Sequence, residues 1–196
     1  MTELNDQSSV LKFLKTRKSG SAKTMGPPGP TPSQLGEILD IAVRAPDHGK
    51  LTPWRFILFE SEARARIGEA FAARWKVLHP GHSEEILAFQ RGLFLRAPVV
   101  IAVVSNAAPH AKIPEWEQLL SSAAVCYNIV LATTAMGYHA QWQTDWVAYD
   151  GETSAAMGLK APERISGLVY LGTSTVPLED RPRPDVKALL TRWGQA

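Results

Sequence analysis

Pro98-Val-Val-Ile-Ala-Val-Val104 is an unbroken apolar run rich in β-branched side chains, and it limits what the rest of the chain can be. Successive side chains of a strand point to opposite faces, so a run without polar alternation is buried on both. Residues 98–104 are therefore predicted to form a central strand in a sheet that helices cover on each side. Ile165-Ser-Gly-Leu-Val-Tyr-Leu-Gly172 reads as a second buried strand, and Trp54 to Phe59 as a shorter one.

Amphipathic segments between these strands supply the covering layers. Residues 6–15 put Val10, Leu11 and Leu14 on one helical face, with Ser8 or Ser9 near the start. Residues 20–32, with four prolines and three glycines, form an irregular crossing segment. Thr31-Pro-Ser-Gln34 then opens a helix with the stripe Leu35, Ile38, Leu39 and Ala42. Threonine is its N-cap, proline its first residue, and glutamine closes a capping box. Ser61 is expected to cap a helix carrying Ile67, Ala70, Phe71 and Trp75, and residues 83–95 form another with Ile86, Leu87, Leu93 and Phe94. Residues 115–136 make the longest helix, ended by Gly137. Its small residues around 121–126 would let a backbone or flat ligand approach, which suits a central helix or a subunit contact. Short helices are expected at 153–157 and before Trp193. Residues 1–196 read as one domain with a C-terminal tail from about 173.

Polar groups concentrate in four places. Arg44, Asp47, His48, Lys50 and Thr52 fall within nine positions of a proline-bounded loop, where Pro46 stops the preceding helix and Gly49 permits a tight turn. Such a loop reads equally as a ligand wall and as a solvated connection. Arg17-Lys18-Ser19 suits a phosphate, through a guanidinium fork, a point charge and a hydroxyl, or else complements a helix C-terminus. Trp142 fills core, or with Gln143 and Thr144 recognises an aromatic heterocycle with carbonyl edges. Arg181 and Arg183 belong to an extended tail whose charge is either solvated or paired with an anion.

Other features narrow the class. His79 and His82 lack a nearby third ligand and read as a polar turn. Cys126 has no identifiable activating base and reads as a packing residue. A formal charge of +2 and the lack of a basic block interleaved with aromatics argue against nucleic acid. One cysteine excludes an internal disulfide and suits a reducing compartment. The N-terminus lacks a signal pattern, and no apolar run approaches membrane-spanning length. A cytoplasmic protein without a membrane or nucleic-acid partner is expected.

Arg17-Lys-Ser19, the Arg44-Ala-Pro-Asp-His…Pro-Trp54 loop, the strand opened by Arg96-Ala-Pro-Val-Val-Ile and residues 165–172 together resemble the flavin-dependent nitroreductase family. Their order and spacing match nearly the whole chain. The likeness is closest to the compact NAD(P)H nitroreductase subgroup, which carries Arg-Ala-Pro-Asp-His in this loop. The resemblance implies an α+β fold: a mixed, mainly antiparallel sheet flanked by helices, in an intertwined homodimer with FMN at the interface. It further implies that Arg17, Lys18 and Ser19 bind flavin phosphate and ring edge, and that Arg44 and His48 reach the partner subunit's flavin. Trp142, Gln143 and Thr144 match a flavin contact, and Arg181 with Arg183 a phosphate clamp. Ala132, Thr133, Thr134, Ala135, Met136 and Gly137 correspond to a segment assigned to the nicotinamide nucleotide.

Two positions depart from the family pattern. Ser21 stands where a cation is usual, leaving Lys23 or Lys50 to face the flavin's N1 and O2 edge, and Gln143 replaces an arginine. The implied activity passes electrons from NADH or NADPH through FMN to a nitroaromatic, quinone or related small-molecule acceptor by a ping-pong mechanism. No metal and no obligatory catalytic side chain is expected. Substrate dehydrogenation or dehalogenation on the same fold is an alternative, as is a non-enzymatic flavin-binding or redox-sensing role.

Overall fold

A computed structural model describes residues 3–194. In chain order the elements are α1 (Val10–Thr16), β1 (Met25–Gly26), α2 (Pro32–Ala42), β2 (Trp54–Glu60), α3 (Glu62–Leu78), α4 (Glu84–Arg91), β3 (Val99–Ser105), α5 (Glu115–Ala135), β4 (His139–Gln143), α6 (Gly151–Ala156), β5 (Arg164–Ser174) and α7 (Val186–Leu189). One sheet runs β1-β5-β3-β2, with β4 also on β5, and every pairing among the described residues is antiparallel. The fold is thus α+β, with helices on both faces of the sheet.

Every residue of β3 is buried. Val100, Ala102 and Val104 enter a layer containing Phe71 of α3, Phe94, Leu168 and Tyr170. Val99, Ile101 and Val103 enter the opposite layer, with Ile38 of α2 and Val125 and Ile129 of α5. The first layer is organised on Phe94, which meets Phe59 and Phe71 edge-on at 5.0 Å and Tyr170 at 6.0 Å between ring centroids. Edge-to-face packing aligns the positive ring edge with the negative ring face.

Local chemistry explains most element ends. Thr31 accepts from the Gln34 N–H while Gln34 returns a bond to the Thr31 N–H, completing the expected capping box. Ser9 and Ser83 cap α1 and α4 through their side chains. Gly137, at φ +84°, follows the end of α5.

Several expectations need correction. Ser61 makes no side-chain cap and sits at φ +47°, ψ −131°. The helix expected over 83–95 is two pieces: the Gly92 N–H closes on Ala88 O, and Leu93–Arg96 tightens into a 3-10 turn. The stripe Val10, Leu11 and Leu14 does not enter the core, since these residues are 75%, 70% and 51% exposed among the described residues. An eighteen-residue window of α5 has mean hydropathy 1.3, enough by length and composition for a membrane span. More than half of that window is buried inside the fold, and α5 is a core helix.

Two contacts lock the helical layer beside β2. Gly68 of α3 abuts α4 so closely that a Cβ there would lie 2.1 Å from the Arg91 carbonyl oxygen. Arg55 of β2 forks onto Glu163, with both N···O distances 2.7 Å, and donates to Gly158 O. That hydrogen-bonded fork holds Glu163 down from its ordinary 4.5 to about 2.

Gly68→Ala is expected to destabilise the protein by roughly 1–3 kcal/mol in urea unfolding, although helix propensity alone favours alanine by about 1 kcal/mol. Gly36→Ala in α2, where a Cβ meets nothing within 4 Å, is the control and should stabilise. Equal shifts in both variants would contradict the close-approach account. A carboxyl held low stabilises the fold fully above its unfolded value and loses that effect as pH falls through its folded value. The stability gap between wild type and Arg55→Gln should therefore be full above about pH 4.5 and shrink towards pH 2. A gap that stays constant between pH 6 and pH 3 would remove the ion pair as its cause.

Candidate functional site

The loop after α2 is a constrained structure fastened to α5. The Asp47 carboxylate accepts from the backbone N–H groups of Leu51 at 3.1 Å and Thr52 at 2.8 Å. Gly49, Lys50 and Thr52 all have left-handed backbone, at φ +73°, +56° and +50°. Glycine is required at 49 for a second reason, since a Cβ would lie 2.4 Å from Ile113 Cδ1. Ser121 of α5 donates its hydroxyl to Pro46 O, and Asn128 donates to Ala42 O at 3.2 Å. His48 Nδ1 meets the Glu117 carboxylate at 2.7 Å, leaving the other ring nitrogen free. Arg44, His48 and Lys50 are exposed.

Arg17 sits at the end of α1, where its Nη1 donates to Ser19 Oγ at 3.1 Å. Its guanidinium lies 5.9 Å from the ring centroid of Tyr127 on α5, within cation–π range. The Lys18 backbone N–H donates to Asn5 Oδ1. Lys18, Ser19, Gly20 and Ser21, with Thr24 and Gln141, line a cavity of about 640 Å³ closed by residues 176–180. A Cβ at Gly20 would come within 3.0 Å of His139 Cβ and Met25 Cε, so glycine lets this strip lie against β4. In the tail, Arg183 donates to Asp180 at 2.7 Å and Arg181 is exposed. Of the two substitute cations considered for the missing one at Ser21, Lys23 is exposed beside this strip and Lys50 lies in the other loop.

Residues 142–144 do not act as one strip. Trp142 Nε1 donates to Ser166 O at 3.3 Å, and its indole occupies the space that a Cβ on Gly167 would need, 2.0 Å from Nε1. Ser166 in turn shares a 2.6 Å hydroxyl contact with Ser122 of α5. Strand alternation sends the neighbouring Gln143 to the opposite face, the layer of Leu168 and Tyr170. Thr144 lies past the strand and accepts from the Tyr149 hydroxyl at 2.8 Å.

The segment 132–137 is the end of α5. Ala132, Thr133 and Thr134 are buried, whereas Ala135 and Gly137 are exposed, because a helix cannot turn six consecutive side chains to one side. Thr134 and Gly137 border a cavity of about 790 Å³ with Tyr138, His139, Glu179 and Asp180. The carbonyls at this helix end are taken up locally: the N–H groups of Met136, Tyr138 and Gly137 donate to Ala132 O, Thr133 O and Thr134 O. Burial lowers the pKa of His139, and His139 Nδ1 accepts from the Ser174 N–H. Cys126 is buried, and desolvation pushes its thiol up to about 12, which fits packing and not nucleophilic chemistry.

Glu117, Ser121 and Tyr127, which hold these pieces to α5, are absent from the residues that sequence reasoning put at the site. A signal for two of them was present: Glu117 and Ser121 are polar at i, i+4 spacing, so they share one face of the helix. Among the described residues no group of three or more His, Cys, Asp or Glu side chains is arranged to hold a metal.

Residues 16–173 match the Nitroreductase family. The chain is 37% identical over 165 residues to the "Putative NAD(P)H nitroreductase" of Haemophilus influenzae, covering 84% of this chain and 88% of that protein. Its fold matches the crystal structure of a nitroreductase-like family protein from Bacillus cereus, with a TM-score of 0.80, 23% identity and coverage of 96% and 97%. It also matches a mutant of the FMN- and NADPH-dependent nitroreductase NfnB from Sphigopyxis sp. strain HMH, with a TM-score of 0.72, 20% identity and coverage of 95% and 100%. The chain belongs to the nitroreductase family. It is an oxidoreductase enzyme of that family.

Proposed function

We propose that the protein is an FMN-dependent oxidoreductase that takes electrons from NADH or NADPH and passes them to a nitroaromatic, quinone or related acceptor. The observation that carries this reading is the pair Lys18 and Ser19 lining the 640 Å³ cavity, with Arg17 joined to Ser19 beside it. Arg17 and Lys18 form no ion pair among the described residues, a hydroxyl stands beside them, and of the two carboxylates that share the cavity's lining Asp180 is already held by Arg183. That donor set fits the phosphate of a flavin mononucleotide. Bound there, FMN would accept a hydride from the nicotinamide and deliver two electrons to the second substrate in the same pocket, in ping-pong order.

The chain's own residues then bind and orient. Arg17, Lys18 and Ser19 hold the phosphate end, with Arg181 and Arg183 closing over it from the tail once Arg183 leaves Asp180. Trp142 and Thr144 border the ring, and the loop carrying Arg44 and His48 supplies its other wall. Gln143 projects from the same face of β4 as Gln141, which lines the cavity. No side chain is obligatory for hydride transfer itself.

Two copies complete the site in this reading. Trp116, Leu120 and Tyr127 lie along the outer side of α5 and are 67%, 50% and 44% exposed. This stripe passes from the anchor of the His48 loop at Glu117 to the ring under Arg17. Exposed apolar surface of this extent marks an interface, and a second chain covering it would bring its own loop beside the first chain's cation strip. The uncovered α1 stripe adds to the same surface.

The purified protein is expected to be yellow or to take up FMN, and NAD(P)H should bleach the flavin band until an acceptor restores it. Arg17→Ala should reduce FMN occupancy and raise the Kd roughly 10-fold or more, as loss of one charge-assisted contact implies. A colourless protein that takes up no FMN would end the flavin reading. Unchanged affinity in the variant would remove Arg17 from the phosphate.

A further inference from the structure

We infer that His48 and Glu117 form a proton-delivering pair, with Glu117 as the positioning residue that aims His48 at the electron acceptor. The inference rests on the flavin reading above, because it takes the His48 loop as a wall of that pocket.

The pair is built differently from an incidental surface contact. Its partners are 69 residues apart and come from separate elements, yet each is held in place. On the His48 side, Asp47 anchors two backbone N–H groups, left-handed geometry at three nearby residues fixes the turn, and Gly49 is seated against Ile113. Ser121, one turn along α5 from Glu117, ties Pro46 to the same helix. Strain of this kind persists only where the surroundings over-determine it, and it clusters at functional sites. The consequence is directional: Nδ1 is committed to Glu117 Oε2 at 2.7 Å, so Nε2 is the free nitrogen, on a side chain 62% exposed.

A carboxylate on Nδ1 selects the Nδ1–H tautomer of the neutral ring, so the proton that the ring gains and gives up is the one on Nε2. The imidazolium then donates from Nε2. For a quinone, the flavin supplies a hydride, two electrons with one proton, to one carbonyl oxygen. His48 supplies the second proton to the other: its Nε2–H bond breaks as the new O–H bond forms, and the hydroquinone leaves. His48 is left neutral, with Nδ1–H still on Glu117, and regains its proton from water. The other ionisable groups around the pair are Arg44, Asp47 and Lys50 in the loop, His110 and Lys112 beside Ile113, and Glu115 at the start of α5.

The first test needs no flavin. Nitrogen-15 NMR of the apo-protein should show neutral His48 as the Nδ1–H tautomer, and Glu117→Ala should return it to the Nε2–H form favoured by free imidazole. An Nε2–H tautomer in wild type would overturn the pairing. The second test follows the reduced holoenzyme as 1,4-benzoquinone reoxidises it in a stopped-flow instrument. His48→Gln should slow this step about tenfold, at the low end of what a positioned acid contributes. Reduction by NAD(P)H should be unaffected. Glu117→Ala should slow reoxidation less, and Glu117→Gln, which can still accept from Nδ1–H, should restore it, a recovery that loosened packing alone would not produce. If NAD(P)H bleaches the flavin normally but reoxidation by the quinone is identical in His48→Gln, the proton role is wrong and the flavin reading stands. A protein that binds no FMN sinks both.

Discussion

Burial of β3 on both faces is the constraint from which the rest of this molecule follows. A strand with no polar face must have a layer on each side, and Phe71, Phe94 and Tyr170 fill one while Ile38, Val125 and Ile129 fill the other. The second layer fixes α5 across the sheet. With its inner side committed to that packing, α5 becomes the fixed member against which the irregular parts of the chain are set. The His48 loop is tied to it at Glu117, Ser121 and Asn128, Arg17 lies over Tyr127, and Ser166 beneath Trp142 is tied to it at Ser122. Loops that would be solvated and variable on their own acquire defined positions by contact with a helix that cannot move.

How much of this was legible in the sequence depends on range. Features set by neighbours along the chain could be read: the capping box at Thr31–Gln34, the stop at Gly137, and the strands at 54–59, 98–104 and 165–172, whose ends shifted by one or two residues. Features set by contact across the fold could not. Nothing local shows that Gly92 divides a helix, or that Ser61 adopts an uncommon backbone conformation instead of capping. The apolar stripe of α1 was legible as a stripe, yet periodicity cannot say whether a covering surface lies in the same chain.

The candidate site shows the same division. Its residue types were visible, because cations, hydroxyls and a proline-bounded polar loop announce themselves, whereas the left-handed backbone at Lys50 and Thr52 does not. Their grouping was not, because it is made by α5. Arg17 donates to Ser19, and Lys18 and Ser19 line one cavity. Arg183 is instead held by Asp180, a tail interaction that spacing alone leaves open. The six residues at the end of α5 divide between core and surface for the elementary reason that 3.6 residues make a turn. Family membership adds what neither local pattern nor a single chain's geometry contains, namely the oxidoreductase class to which these groups belong.

The alternation of β4 carries a consequence for how such an enzyme can diversify. Trp142 and Gln143 are neighbours in sequence, but a sheet one residue thick separates their side chains. Trp142 answers to Ser166, Gly167 and α5; Gln143 answers to the layer of Leu168 and Tyr170. A substitution at one therefore leaves the packing environment of the other largely untouched. Related chains can alter the polarity behind the strand without re-fitting the aromatic surface in front of it, so a lineage can retune the pocket in independent single steps.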